Sequence, residues 1–206
     1  DPDTVSLLAV SKKQPAERLR EAAEQGQTAF GENYLQEALD KMTALADIKG
    51  LSWHFIGPIQ SNKTRDIARH FDWVHSVDRL KTARRLSEQR STDLPPLNLC
   101  IQVNIDGEPT KSGVHPQDVV TLGTEVAALP NIQLRGLMAI PDPGNSPEIQ
   151  RERFRSLAAL VDELRQSVDN ECLDTLSMGM SGDLELAIAE GATIVRIGTA
   201  IFGPRD

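Results

Sequence analysis

A lysine stands at the end of the first apolar run of this chain, where its amine could act as a nucleophile. Lys12 follows the run at residues 5–10. Burial disfavours the ammonium form of a lysine, and a neutral amine can condense with an aldehyde to form a Schiff base. The competing interpretation is a solvated lysine at a strand end, because lysines are rarely buried. Strand alternation puts Lys12 and Lys13 on opposite faces without deciding which one points inward.

A second cationic residue, Arg196, interrupts the last apolar run at residues 193–198. A buried arginine needs acceptors, which a structural ion pair, an anionic ligand or a ring nitrogen could each supply. Gly198 and Thr199 come next, at the start of a short final helix, and Ser181 lies in a glycine-bearing loop after the preceding run. Ser181 also fits a helix cap. Loops of this kind present backbone N–H groups to phosphate.

Two further polar residues are candidates for the same site. Asn33 follows the second apolar run and fits either a helix cap or a ligand contact. His54 lies inside a strand pattern, which favours packing over catalysis. The histidines and cysteines do not show metal-ligand spacing, so we expect no metal site. The sequence also lacks a nucleophile elbow, a P-loop and a dinucleotide fingerprint.

Eight short apolar runs alternate with amphipathic segments, which is typical of parallel strands joined by helices. The predicted strands lie at residues 5–10, 28–31, 53–57, 73–77, 97–104, 134–140, 173–179 and 193–198. The predicted helices lie at residues 16–25, 32–46, 61–70, 78–89, 116–129, 147–168 and 182–190, with one short turn at 199–206. Eight such units predict an α/β fold, a closed (β/α)8 TIM barrel, and an open doubly wound sheet is the alternative. In a barrel, most of the candidate residues follow strand ends on the face where active sites lie.

Composition excludes several classes of function. The 206 residues fit a single domain with a substantial core. The apolar runs are too short for a transmembrane helix, and we expect no signal peptide. A net charge of −8 disfavours nonspecific binding to nucleic acid or to a membrane surface. Two cysteines give no disulfide framework and suit a cytoplasmic protein.

Seven segments together resemble the pyridoxal phosphate homeostasis proteins. They are AVSK (9–12), FGENY (30–34), WHFIGPIQSNK (53–63), KSG (111–113), RGLM (135–138), LSMGMS (176–181) and VRIGT (195–199). The segments span essentially the whole chain in order, and the long third segment is highly specific. The family is similar in fold to the N-terminal barrel of alanine racemase and lacks the β-rich second domain of that enzyme.

The resemblance implies that residues 1–206 form one barrel domain with pyridoxal 5′-phosphate (PLP) as its cofactor. It implies that Lys12 holds PLP as a Schiff base and that Arg196 faces the pyridine nitrogen. It also implies five further cofactor-binding residues, namely Asn33, His54, Ser181, Gly198 and Thr199. Of these, Ser181, Gly198 and Thr199 are implied to hold the phosphate. Family members usually carry a helix before the first strand, and we expect this helix to lie outside the 206 residues.

The implied function is a cytoplasmic, monomeric carrier that stores PLP for vitamin B6 homeostasis and hands it to apo-enzymes without turnover. An arginine at the pyridine nitrogen keeps that atom unprotonated and so weakens the ring as an electron sink. Racemisation would further need a second acid or base, for which Glu32 and Tyr34 are the candidates. The alternatives are a PLP-dependent racemase or related fold-type III enzyme, and a barrel that binds another phosphorylated molecule.

Overall fold

The computed structural model describes residues 4–168 and 172–203, and its strands close into a parallel barrel in sequence order. They are β1 (Ser6–Val10), β2 (Ala29–Glu32), β3 (Ser52–Phe55), β4 (Trp73–Val77), β5 (Leu97–Val103), β6 (Ile132–Ala139), β7 (Thr175–Ser177) and β8 (Ile194–Ile197). Strand β1 pairs with β2 on one side and with β8 on the other. This closure confirms the predicted TIM barrel and excludes the open sheet.

Helices connect successive strands around the outside of the barrel. They are α1 (Ala16–Glu24), α2 (Leu35–Ala44), α3 (Thr64–His70), α4 (Leu80–Gln89), α5 (Val119–Ala127), α6 (Pro147–Ser167), α7 (Leu184–Ala189) and α8 (Thr199–Phe202). The helix predicted from residue 32 begins only at Leu35, because Glu32 ends β2. Residues 204–206 of the last predicted turn lie outside the described residues. Within the described ranges, no helix has both the length and the apolar character needed to cross a bilayer.

The hydrophobic core lies between the barrel wall and the helices. Outward-facing strand residues such as Ala9, Phe30 and Val74 are fully buried, and they share one cluster with Leu19 of α1 and Leu86 of α4. The apolar stripe of each helix therefore covers the outer face of the strands, as the alternation of the two elements requires.

The alternate strand residues face the barrel interior. Leu8 pairs in register with Arg196, and Gly31 pairs with His54. A Cβ atom on Gly31 would lie 3.2 Å from Cδ2 of Leu8, so both residues point towards the barrel axis. His54 and Arg196 are buried there, which makes the barrel interior partly polar.

Gly57 lets the chain after β3 approach the chain after β2. A Cβ atom at this position would lie 2.2 Å from the backbone oxygen of Asn33. Real side chains never approach that closely, so any larger residue would push the two strand ends apart. The close approach keeps Asn33 at the carboxyl face of the barrel.

Gly57→Ala is expected to lower the free energy of unfolding by about 1–3 kcal/mol, because overpacking forces the backbone to shift. Gly182→Ala is the matched control, since a Cβ atom there meets nothing within 4 Å. The control should change the free energy of unfolding by less than about 0.5 kcal/mol. Urea unfolding measures the free energy of both variants, and a shifted midpoint with an unchanged m value reports a change in stability. Equal midpoints for the two variants would contradict the close approach at Gly57.

Candidate functional site

A cavity of about 310 Å³ opens at the carboxyl ends of the strands. Six of the seven predicted site residues line it, namely Lys12, Asn33, Ser181, Arg196, Gly198 and Thr199. Val10, Ile56 and Ile140 add apolar wall. A larger cavity of about 470 Å³ between α1 and α8 contains none of the predicted residues, so chemistry rather than volume identifies the site.

Lys12 lines the cavity, whereas Lys13 is exposed. Lys12 continues the inward alternation of Leu8 and Val10 beyond the end of β1. Lys13 has a positive φ of 62°, so the chain turns away from the cavity directly after Lys12. The structure thereby decides between the two faces that strand alternation alone left open.

Helix α2 anchors the backbone on both sides of Lys12. Lys41 Nζ donates a hydrogen bond of 2.7 Å to the carbonyl oxygen of Ser11. The backbone N–H of Lys13 donates to Glu37 Oε1 at 2.5 Å. Each neighbour of Lys12 is thus tied to a helix side chain, which fixes the point from which the lysine side chain extends.

The anchoring lysine belongs to a buried ionic network. Lys41 Nζ also donates to Glu32 Oε1 at 2.6 Å and to Glu37 Oε1 at 2.6 Å, and Ser11 Oγ donates to Glu32 Oε1 at 2.7 Å. Burial raises the pKa of Glu32, and the Lys41 charge opposes that rise. Lys41 and Glu37 do not stand out as site residues in the sequence. The available signal was the position of Lys41 on the buried face of α2, three residues after Ala38.

Arg196 is buried and bound to neutral oxygens. Its Nη1 donates to the carbonyl oxygen and to Oγ of Ser177, at 2.6 and 2.8 Å, and its Nη2 donates to the carbonyl oxygen of Ala139 at 2.9 Å. Among the described residues, no carboxylate forms a salt bridge with it, so the ion-pair interpretation fails there. Burial lowers the pKa of Arg196 to about 10, which leaves it charged at neutral pH. The three bonds use three of the five N–H groups of a guanidinium.

His54 is buried in the barrel interior and is not among the residues that line the cavity, so its expected contact with the cofactor stays a prediction. Its Nδ1 is 2.9 Å from Nε2 of His75, and its Nε2 is 3.1 Å from Oγ of Ser52. His75 Nδ1 is in turn 2.8 Å from Ser177 Oγ. Ile56, two residues after His54, lines the cavity instead. Residues two apart share one face of a strand, so His54 and Ile56 both point inward and differ in depth along the barrel.

Two turns form the wall opposite the strand ends of β2 and β3. Gly198 precedes α8 and Thr199 begins it, so their amides lack the acceptor four residues earlier that a helix interior provides. Ser181 lies in the turn before α7, where its side chain is exposed. The expected helix cap at Ser181 is wrong, because Asp183 occupies the N-cap position of α7 and accepts a bond of 2.6 Å from the Met180 N–H.

Asn33 lines the cavity, and its side chain carries an unsatisfied oxygen. Its Oδ1 is buried and has no hydrogen-bond partner within the part of the chain that the structure describes. The cap interpretation fails, because Tyr34 occupies the N-cap position of α2. Buried polar atoms normally have partners, so this unpartnered acceptor is unusual. In the same described ranges, no group of histidine, cysteine and acidic residues is arranged to hold a metal ion.

Comparisons with known proteins show the family of this chain. The model of the alanine racemase N-terminal domain family matches residues 3–206. The pyridoxal phosphate homeostasis protein of Pseudomonas aeruginosa is 62% identical, and the match covers 100% of this chain and 87% of that protein. The chain belongs to the pyridoxal phosphate homeostasis protein family. This membership confirms the resemblance seen in the seven sequence segments.

Solved structures show the same fold. PipY of Synechococcus elongatus with PLP bound is 41% identical with a TM-score of 0.92, and the match covers 98% of this chain and 94% of that chain. Alanine racemase from Corynebacterium glutamicum is 20% identical with a TM-score of 0.76, covering 98% of this chain and 57% of that chain. The second likeness concerns the barrel fold alone.

Stability is expected to fall as the pH drops below about 6.5, the ordinary histidine pKa. Burial lowers the pKa of His54 to about 3 and that of His75 well below its usual range. The unfolded chain therefore binds more protons in this window. Above about pH 6.5, neither of these two histidines lowers the stability of the protein. Below that pH, each of them lowers the free energy of unfolding by about 1.4 kcal/mol per pH unit.

Urea unfolding between about pH 7 and about pH 5 measures this slope, and His75→Asn should remove about half of it. His70→Asn changes an exposed histidine of α3 and should keep the wild-type slope. Burial raises the pKa of Glu32, so protonation of Glu32 stabilises the folded protein as the pH falls. Glu32 is present in all three proteins, and its effect therefore cancels when their slopes are compared. Identical slopes in all three proteins would contradict a proton penalty at His75.

Proposed function

We propose that this protein is a cytoplasmic, monomeric PLP carrier that holds the cofactor for vitamin B6 homeostasis and releases it to apo-enzymes through transient contacts. The observation that carries the proposal is the convergence of an amine, a buried guanidinium and two amide-bearing turns on one cavity of about 310 Å³. These groups match the aldehyde, the pyridine nitrogen and the phosphate of PLP. The PLP-bound structure of PipY supports the same cofactor.

Lys12 supplies the amine for the aldehyde. Its nitrogen attacks the carbonyl carbon, a C=N bond forms, and the oxygen leaves as water, which gives a Schiff base. Addition of water reverses each of these steps, so the cofactor can be released without a further reagent. The anchors at Ser11 and Lys13 support this role, because they keep the lysine backbone in place whether or not its side chain is attached.

Arg196 and the two turns supply the non-covalent part of the binding. A guanidinium donates hydrogen bonds and does not give up its proton, so Arg196 opposite the pyridine nitrogen leaves that nitrogen unprotonated. Ser181, Gly198 and Thr199 are the residues we assign to the phosphate, through a hydroxyl and through backbone amides at the start of α8. The unsatisfied Oδ1 of Asn33 accepts a hydrogen bond from the cofactor or its water.

The cavity favours a carrier over a racemase. Racemisation needs a second acid or base on the opposite side of the substrate. Among the described residues of the cavity wall, the ionisable side chains are Lys12 and Arg196. Glu32 is held by Lys41 on the outer side of the barrel, and Tyr34 is 52% exposed and outside the wall. The two candidate bases are therefore not aimed at a bound substrate.

Borohydride reduction of the PLP-loaded protein, followed by peptide mapping, is expected to place the adduct on Lys12. Lys12→Ala should abolish the adduct and the visible absorption of the bound cofactor, because no amine is left at the cavity. Lys13→Ala is the matched control and should retain both signals, since Lys13 is exposed. An adduct of wild-type intensity in Lys12→Ala would overturn the assignment.

Turnover distinguishes the carrier from the racemase. With a panel of L-amino acids, the PLP-loaded protein is expected to form D-isomers and decarboxylated products no faster than free PLP does. Chiral chromatography of the reaction mixtures measures both products. Saturable formation of a D-amino acid that disappears in Lys12→Ala would establish the enzyme instead.

A further inference from the structure

A line of hydrogen-bonded side chains crosses the barrel interior and ends at Arg196. It runs from Ser52 through His54 and His75 to Ser177, with separations of 3.1, 2.9 and 2.8 Å, and reaches Arg196 Nη1 after a further 2.8 Å. We call these five residues the interior column. His75 and Ser177 have no solvent exposure, so each polar atom of theirs depends on a partner within the protein.

The guanidinium fixes the direction of every bond in the column. Arginine only donates, so Ser177 Oγ accepts from Arg196. The single Ser177 O–H is then free to donate, and His75 Nδ1 is the atom within reach. A neutral imidazole that accepts at Nδ1 carries its proton on Nε2, so His75 donates to His54 Nδ1. By the same rule, His54 carries its proton on Nε2 and donates to Ser52 Oγ.

The opposite direction would leave a buried group without a partner. If His75 carried its proton on Nδ1, Ser177 Oγ would accept from both His75 and Arg196. Its hydroxyl proton would then point into the barrel interior with no acceptor among the described residues. An unsatisfied buried donor is destabilising. Burial and the nearby Arg196 charge also lower the pKa of His75, in keeping with a neutral ring.

We propose that His75, as its Nε2–H tautomer, is a positioning residue for Arg196: its Nδ1 accepts a hydrogen bond from the Ser177 hydroxyl, which directs a Ser177 lone pair at the guanidinium. This bond adds to the backbone acceptors of Ser177 and Ala139 and holds one edge of Arg196 against the barrel floor. The two remaining N–H groups are thereby kept available to the cavity. The effect of His75 on PLP binding rests on the function proposed above, whereas the tautomer of His75 is independent of that function.

Nitrogen-15 NMR of the PLP-free protein, labelled at histidine, tests the tautomer directly. Near neutral pH, His54 and His75 are expected to show neutral rings protonated at Nε2. Ser177→Ala removes the donor to His75 Nδ1 and should shift that nitrogen resonance by several ppm, while exposed His70 is unchanged. A ring of His75 that is protonated at Nδ1, or doubly protonated, in the wild-type protein would overturn the proposal.

PLP affinity tests the positioning role. His75→Asn retains an acceptor in the place of Nδ1, whereas His75→Leu removes it. We expect His75→Leu to bind PLP about tenfold more weakly and with a shifted absorption maximum, and His75→Asn to stay within about twofold of wild type. Met138→Leu, a buried and apolar change in β6, controls for altered packing. Equal losses of PLP affinity in His75→Leu and His75→Asn would overturn the positioning role of His75. If the wild-type protein does not bind PLP, the proposed function is rejected, whereas the tautomer found by NMR still holds.

Discussion

The ammonium group of Lys41 holds together the part of the barrel on which the site depends. It is buried, and it joins α2 to the carbonyl of Ser11 at the end of β1 and to the carboxylate of Glu32 at the end of β2. A charge in such a place is tolerated only when its partners are complete, and breaking a buried pair leaves an uncompensated charge that costs about 3–5 kcal/mol. The network therefore fixes one arrangement of the two strand ends, and the position of Lys12 follows from it.

The barrel keeps its apolar and polar groups in separate layers. The outer face of the strands packs against helices and supplies the hydrophobic core. The inner face carries the interior column and delivers the charge of Arg196 to the cavity floor. Because a guanidinium is costly to bury, its acceptors must be placed before a ligand arrives, and backbone carbonyls of β6 and β7 with one hydroxyl meet that need. The position of Arg196 is thus fixed by residues of the strands and strand ends.

The order of the elements and the fold class could be predicted from the sequence because they depend on local patterns. Apolar runs and helical spacing can be read from neighbouring residues alone, and eight repeats of a strand followed by a helix are enough to predict a barrel. The cavity residues were also predictable in kind, since a barrel places its chemistry after the strands. The face of β1 on which Lys12 lies could not be predicted. Alternation separates the two faces of a strand without showing which one points into the barrel, and that is known only from the pairing of β1 with β8. Lys41 was missed because Ser11, its partner, lies 30 residues away. The depth of His54 inside the barrel could not be predicted, because strand stagger sets it.

The PLP carrier proposed above needs strong recognition together with an attachment that can be undone, and the cavity offers different groups for the two tasks. Under that proposal, recognition rests on groups that do not change their protonation near neutral pH, namely the Arg196 guanidinium and backbone amides. Attachment rests on the amine of Lys12, because water reverses the reaction of an amine with an aldehyde. Turnover would need a second acid or base. Among the described residues of the cavity wall, the ionisable side chains are Lys12 and Arg196, and Val10, Ile56 and Ile140 are apolar, which supports binding and release as the proposed function.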